Sequence, residues 1–193
     1  MKEYFLKTKR IGFSCWEQGD VQLAIELWGE PEVAHFICAE GIFTIPEIIE
    51  RLNCEISNHR VYGIQYFPIF ELDSGQLIGC CGLRPYKEEK NIFEIGFHLK
   101  KKYQKQGLAF EAAAAIIEYA FSVLNAQELK AGHHPQNIAS KKLLEKLGFH
   151  YESDEYYAPT GLEHPTYYLK KIIENENCKG DLDGNSIYVT SRR

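Results

Sequence analysis

Glu94-Ile95-Gly96-Phe97-His98-Leu99, followed by Tyr103-Gln104-Lys105-Gln106-Gly107-Leu108-Ala109-Phe110-Glu111-Ala112, is the stretch on which the reading of this chain turns. The first segment has the alternation of a strand. After Gly107, the residues Ala109, Ala112, Ala113, Ile116, Ile117, Ala120, Phe121 and Leu124 fall on one helical stripe. Residues 104–109 therefore form a turn that leaves a strand and opens an alanine-rich helix. A pyrophosphate needs such a junction, where backbone N–H groups converge at the positive end of a helix. Gly107 lets the backbone approach closely, Ala109 keeps the first helical turn thin, and Lys100, Lys101, Lys102 and Lys105 gather positive charge beside it. The plainer alternative is an ordinary helix start with solvated lysines. A P-loop would need Gly-Lys followed by Ser or Thr, and a dinucleotide fingerprint three spaced glycines, so both fit worse.

Working outward, residues 62–72 and 76–83 are expected to form an antiparallel hairpin across Asp73-Ser74-Gly75, with residues 91–99 as a third strand. Upstream, residues 8–15 read as a strand and Asp20 as the cap of a helix carrying Val21, Leu23, Ala24, Leu27 and Trp28. Pro31 opens a second short helix, and Thr44 caps one over residues 47–57. Downstream come a short strand at 129–133, a helix at 137–147 ended by Gly148, and strands at 149–156 and 166–172. Helices and strands arrive in blocks, which predicts an α+β fold.

The 193 residues, 45% hydrophobic and 25% charged, suffice for one core and a short tail. We assign the domain to residues 8–172 and a polar, flexible tail to residues 173–193, which hold too few apolar groups to order themselves. A net charge of −5 supplies no global basic field for nucleic acid. No segment has transmembrane length, and the N-terminus lacks the apolar run of a signal peptide. The six cysteines are scattered without C-x-x-C spacing and read as reduced thiols, which places the expected location in the cytoplasm. No metal is expected, because the adjacent His133 and His134 are poorly placed to share an ion.

Strand alternation puts Glu94, Gly96 and His98 on one face and Ile95, Phe97 and Leu99 on the other. Glu94 and His98 are thus candidate bases; the competing readings are a lysine-paired carboxylate and a packed histidine. Asn137 and Ser140 open a helix, where Asn137 also fits a plain N-cap. Cys80-Cys81 reads as strand packing. Residues 34–43 and the loop expected at 158–165 are candidates for substrate selection.

These residues in this order resemble the GNAT superfamily of N-acetyltransferases, whose core motif is Gln/Arg-x-x-Gly-x-Gly/Ala. Thr8-Lys9-Arg10-Ile11, Trp16, Asp20, Pro31-Glu32-Val33, Phe36, Asn137, Ser140 and Leu144-Glu145-Lys146-Leu147-Gly148-Phe149 narrow the resemblance to the ribosomal-protein N-terminal (alanine/serine) acetyltransferase branch, over residues 8–172. The resemblance implies a mixed, mostly antiparallel sheet, splayed at an acetyl-CoA slot and flanked by helices. It implies acetyl-CoA as co-substrate and direct attack by a primary amine, with Glu94 as base and Ser140 as acid near the CoA sulfur. Phe97, His98, Leu99 and Asn137 would meet the pantetheine arm. Gln104, Lys105, Gln106, Gly107, Leu108 and Ala109 would cradle the pyrophosphate. The acceptor classes implied are a protein N-terminus, a polyamine or another small amine, served by a monomer or homodimer. The branch usually carries glycine where Lys105 stands, which keeps a second reading open: a CoA-binding regulatory or interaction module without turnover.

Overall fold

Ile78, Cys80, Cys81 and Leu83 are all fully buried, so the strand they share is covered on both faces. The computed structural model describes residues 2–171 except residue 88, and the expected tail at 173–193 lies outside the described residues. One open sheet runs in the order β1 (Leu6–Lys7), β2 (Ile11–Phe13), β3 (Tyr66–Glu71), β4 (Leu77–Pro85), β5 (Ile92–Leu99), β6 (Glu128–Gly132), β8 (Leu162–Lys170) and β7 (His150–Tyr157). Every neighbouring pair is antiparallel except β5 and β6, which run parallel. The expected α+β architecture is the one observed.

Helices α1 (Val21–Trp28), α2 (Pro31–Ala34) and α3 (Ile45–Tyr62) cover one face, and α4 (Leu108–Ser122) and α5 (Ile138–Lys146) the other. Opposite the step from Ile69 to Phe70 of β3, strand β4 carries one extra residue, Ile78, a bulge that shifts the register between the two strands. It explains why Leu77 and Cys80 share the α1/α3 core while Ile78 and Cys81 share the α4/α5 core.

Several boundaries differ from expectation for local reasons. Helix α3 starts with a reciprocal Thr44/Glu47 capping box but runs on to Tyr62, because its stop is Gly63 at φ 72°. Asp20 turns its carboxylate back to Glu17 N and Lys2 Nζ, at 2.8 and 2.7 Å, and does not cap α1 with it. Much of the loop expected at 158–165 is strand, since β8 begins at Leu162. Pro165 is tolerated there because β6 ends opposite Thr166, so no strand demands its missing N–H.

Candidate active site

Strands β5 and β6 pair only from Ile92 to Glu94 and from Glu128 to Lys130; beyond that they part. Lys100 N donates to Ile78 O at 3.0 Å and Tyr86 N to Ile92 O at 3.3 Å, so the even-numbered residues of β5 turn their backbone towards β4. Ile95, Phe97 and Leu99 turn theirs into the fork. His98 faces Cys80 with its backbone, so of the three residues expected to meet an incoming arm by backbone only Phe97 and Leu99 are so placed. The Leu99 carbonyl already accepts from Gln104 Nε2 at 3.0 Å. His98 enters the cleft with its side chain instead.

Glu94 stands at the fork. Its Oε1 accepts from the Tyr66 hydroxyl at 2.8 Å, and it makes no ion pair among the described residues, so the lysine-paired reading does not occur. Tyr66 reaches it from β3, two strands away. Its ring lies across Gly96, where a Cβ would stand 2.3 Å from the ring's Cζ. Burial, and then the charge of Glu94, push the phenol well above its usual range, so it remains a donor. Arg84 lies over the same ring at 4.2 Å and pairs with the fully buried Glu55 of α3, whose other oxygen accepts from Tyr66 N at 2.8 Å. Burial alone would lower the Arg84 guanidinium, but the Tyr66 and Glu55 oxygens hold it above its ordinary value. Helix α3 thus anchors the aromatic arm that positions Glu94.

His98 packs edge-on against Tyr66 at 5.8 Å, and its Nδ1 faces the Trp28 indole N–H at 3.4 Å. Burial, then the charges of Arg51 and Arg84, push the imidazole well below its ordinary range. A neutral ring whose Nδ1 accepts from an indole carries its proton on Nε2, so His98 offers the cleft a donor, which leaves Glu94 as the base candidate.

Lys105 at φ 60° and Gly107 at φ 78° are both left-handed, which folds the chain back just before α4. The glycine that the resembled branch usually carries at position 105 would take this conformation without the cost a side chain brings. Gly107 caps α4 without a side chain, and the first internal bond runs from Glu111 N to Gly107 O at 3.0 Å, leaving the N–H groups of Leu108, Ala109 and Phe110 without a helical partner. The other lysines of the run point elsewhere. Lys100 meets Glu26 and Lys101 meets Glu32, each at 3.4 Å, and Lys102 bonds Gln76 at 2.9 Å. Lys105 makes no ion pair among the described residues. Arg10 braces the turn: its Nη1 donates to Gln106 O at 3.0 Å and its Nε pairs with Glu111 at 2.7 Å. The Glu111 carboxylate also takes Arg10 N at 2.9 Å and the Thr8 hydroxyl at 2.6 Å. On α5, Asn137 Oδ1 caps the helix by accepting from Ser140 N at 3.1 Å, and both side chains line the cleft.

Residues 10–150 match the acetyltransferase (GNAT) domain family. The chain is 31% identical to the uncharacterized N-acetyltransferase YnaD of Bacillus subtilis (strain 168) over 172 residues, covering 89% of this chain and 98% of the relative. The chain belongs to the GNAT acetyltransferase family. The ribosomal protein uS5-alanine N-acetyltransferase of Escherichia coli (strain K12) is 30% identical over 95 residues, 49% of each chain. The structure of RimJ from Mycobacterium smegmatis in complex with CoA-disulfide superposes with a TM-score of 0.70 at 14% identity, covering 83% of this chain and 81% of that one. The GNAT family consists of acyltransferases that use acetyl-CoA, and the resemblance to its ribosomal-protein branch is borne out.

In this GNAT chain the cleft that Glu94 lines is also lined by Phe36 and Ile37 from the α2–α3 connection and by His133, His134, His164 and Tyr157. The His164 ring stacks on Tyr157 at 4.7 Å, and its Nε2 lies 2.8 Å from the Thr160 hydroxyl. Burial, then His134 and His133, push it down to about 4. Burial, then His35 and His133, lower His134 as well, so neither ring adds charge at neutral pH. Among the described residues no group of three or more His, Cys, Asp or Glu is arranged to hold a metal, and no helix is long and apolar enough to cross a membrane. Burial pushes the Cys80 thiol up to about 12 and holds the Cys81 thiol well above its ordinary value, which makes both inert packing groups. Sequence reading missed Tyr66, Arg84, Glu55 and Arg51. The available signal was the pair of strand-interior glycines, Gly82 and Gly96, which stand in register with Tyr66 and mark a close approach.

Proposed function

We propose that this protein transfers the acetyl group of acetyl-CoA to a primary amine by direct attack, with Glu94 as base and Ser140 as acid. The observation that carries the reading is the fork itself: a half-strand with free backbone groups, ending at a left-handed turn and an open helix N-terminus, with Glu94 held at its apex. The cofactor fits what is present. The backbone of Phe97 and Leu99 and the side chain of Asn137 would hold its arm. The Gln104–Gly107 turn, with the N–H groups of Leu108 and Ala109, would hold its phosphates. Acetyl-CoA supplies an activated thioester. Glu94, directly or through one water, takes the proton the amine must lose, its Oε1 fixed by Tyr66 and its Oε2 free of protein partners among the described residues. The Phe97 N–H faces the fork, placed to polarise a carbonyl there. Ser140 gives its proton to the departing sulfur and is itself restored from solvent.

Cys15, Cys38, Cys54, Cys80 and Cys81 are all free thiols, which supports a reducing, cytoplasmic location. The relatives support a protein N-terminus among the acceptors to be tried. Saturating acetyl-CoA is expected to raise Tm by roughly 5–10 °C, and no shift would sink the acetyl-CoA reading. A thiol-release assay on amine acceptors should then show Glu94→Gln lowering kcat/KM by about 10²-fold or more with the thermal shift intact. Unchanged activity would remove Glu94 as base. Binding without turnover on any amine would instead favour the regulatory module.

A further inference from the structure

The formally charged side chains lining the cleft are Arg51, Arg84, Glu94, Lys130 and Glu155. Three of them are neutralised by the protein. Arg84 pairs with Glu55, Lys130 with Glu128 and Glu152 at 2.6 and 2.5 Å, and Glu155 with Lys87 at 3.4 Å. Among the described residues Glu94 and Arg51 have no opposite charge within ion-pair distance. One negative and one positive group are thus left to whatever enters.

Arg51 lies on α3, one turn before Glu55. Its guanidinium carbon stands 5.2 Å from the Trp28 ring centre and 5.5 Å from that of Phe43. Rings against a guanidinium restrain it while leaving its in-plane N–H groups open, the geometry that receives a carboxylate in two parallel bonds. Its side chain makes no hydrogen bond among the described residues, and its Nε is buried without a partner. A half-buried guanidinium left without acceptors is costly unless a ligand supplies them. The CoA phosphates are not that ligand, because α3 packs on the opposite face of the sheet from α4 and the turn that precedes it.

We propose that the acceptor carries a carboxylate as well as the amine, and that Arg51 receives the carboxylate while Glu94 faces the amine. The substrate class is an amino acid or a peptide N-terminus with an acidic side chain close behind it. Polyamines, which bring a second cation towards Arg51, are disfavoured. This inference rests on the acetyltransfer reading for its orientation.

The test compares matched acceptors in the thiol-release assay: L-amino acids against their primary amides, Ala-Asp-Gly against Ala-Asn-Gly, and spermidine. The same probes are titrated calorimetrically into CoA-saturated protein. The carboxylate member of a pair is expected to exceed its neutral match by about tenfold or more in kcat/KM and in affinity, with the amino-acid and peptide arms separating the two sources. Arg51→Met should shrink that ratio to about twofold while leaving the thermal shift with acetyl-CoA intact, and Arg51→Lys should retain part of it. Equal handling of both members, a preference for spermidine, or a preference that survives Arg51→Met would overturn the inference. Carboxylate-selective binding without turnover would sustain it and defeat the acetyltransfer reading. Turnover without selectivity would do the reverse. Should Arg51→Met fail to fold, the matched pairs on the native protein decide alone.

Discussion

Glycine at position 96 is what allows a tyrosine from β3 to reach a carboxylate on β5. A Cβ there would overlap the ring of Tyr66, itself only 3% exposed and unable to move aside cheaply. Gly96→Ala is therefore expected to cost about 1–3 kcal/mol in a denaturant melt and to lower kcat/KM by detaching Tyr66 from Glu94. An alanine variant of native stability and activity would show that the ring is not held as described. Glu94 was legible in sequence because strand alternation and the motif beside it both pointed there. Tyr66 was not, because its partner lies two strands away, and cross-sheet neighbours depend on register that no local pattern supplies. His98 shows a related limit. Alternation put it on the right face, but its neutrality comes from burial and then from Arg51 and Arg84, all contributed by other elements.

The turn at residues 104–109 was legible as the junction that opens an alanine-rich helix, and the left-handed Lys105 stands where the resembled branch usually carries glycine. The direction of its lysines was not read, since Lys100, Lys101 and Lys102 answer to acidic or polar partners on the other side. Support comes instead from the β1–β2 hairpin through Arg10 and Glu111, a contact across 101 positions of sequence that no local pattern supplies. Burial alone would raise the Glu111 carboxyl, yet its bonds to Thr8 and Arg10 leave it below the usual carboxylate range. Its contribution is present above the unfolded value near 4.5 and is lost as pH falls through the lower folded value. Glu111→Gln should cost about 1–2 kcal/mol at pH 7 and weaken acetyl-CoA binding, both measurable by melts with and without ligand. If the stability loss appears with acetyl-CoA affinity unchanged, the hairpin braces the fold but not the turn.

For the molecule as a whole, α+β architecture and a splayed sheet followed from the block order of elements and from the resemblance. The way β4 shares its side chains between the two cores on either side of the sheet did not, because it depends on the extra residue at Ile78. The cleft cuts across this division, and among its lining are His134 and His164, which folding holds neutral. His164 sits at about 4 in the native protein, against roughly 6.5 for an unfolded histidine. The unfolded chain binds more protons across that interval, so stability is full above about pH 6.5 and declines as pH falls towards 4. His98 and His134 act in the same direction. Melts at constant ionic strength should give a lower Tm at pH 5 than at pH 7, and His164→Phe should flatten that slope. A Tm that holds steady over this range would mean these rings titrate much as they do when unfolded.

The parting of β5 from β6 leaves the backbone of Ile95 and Phe97 without a strand partner, and such groups on an outer strand invite pairing with other chains. Here the parted stretch faces a cleft that Ala131 and Gly132 of β6 and Ser140 and Leu144 of α5 also line, with Ile95 and Leu99 buried beside it. On the proposed reading, the groups that would pair with the pantetheine arm lie in a cleft and not on an outer strand. A slot for a long thin ligand built in this way would avoid the aggregation hazard that an open sheet edge carries.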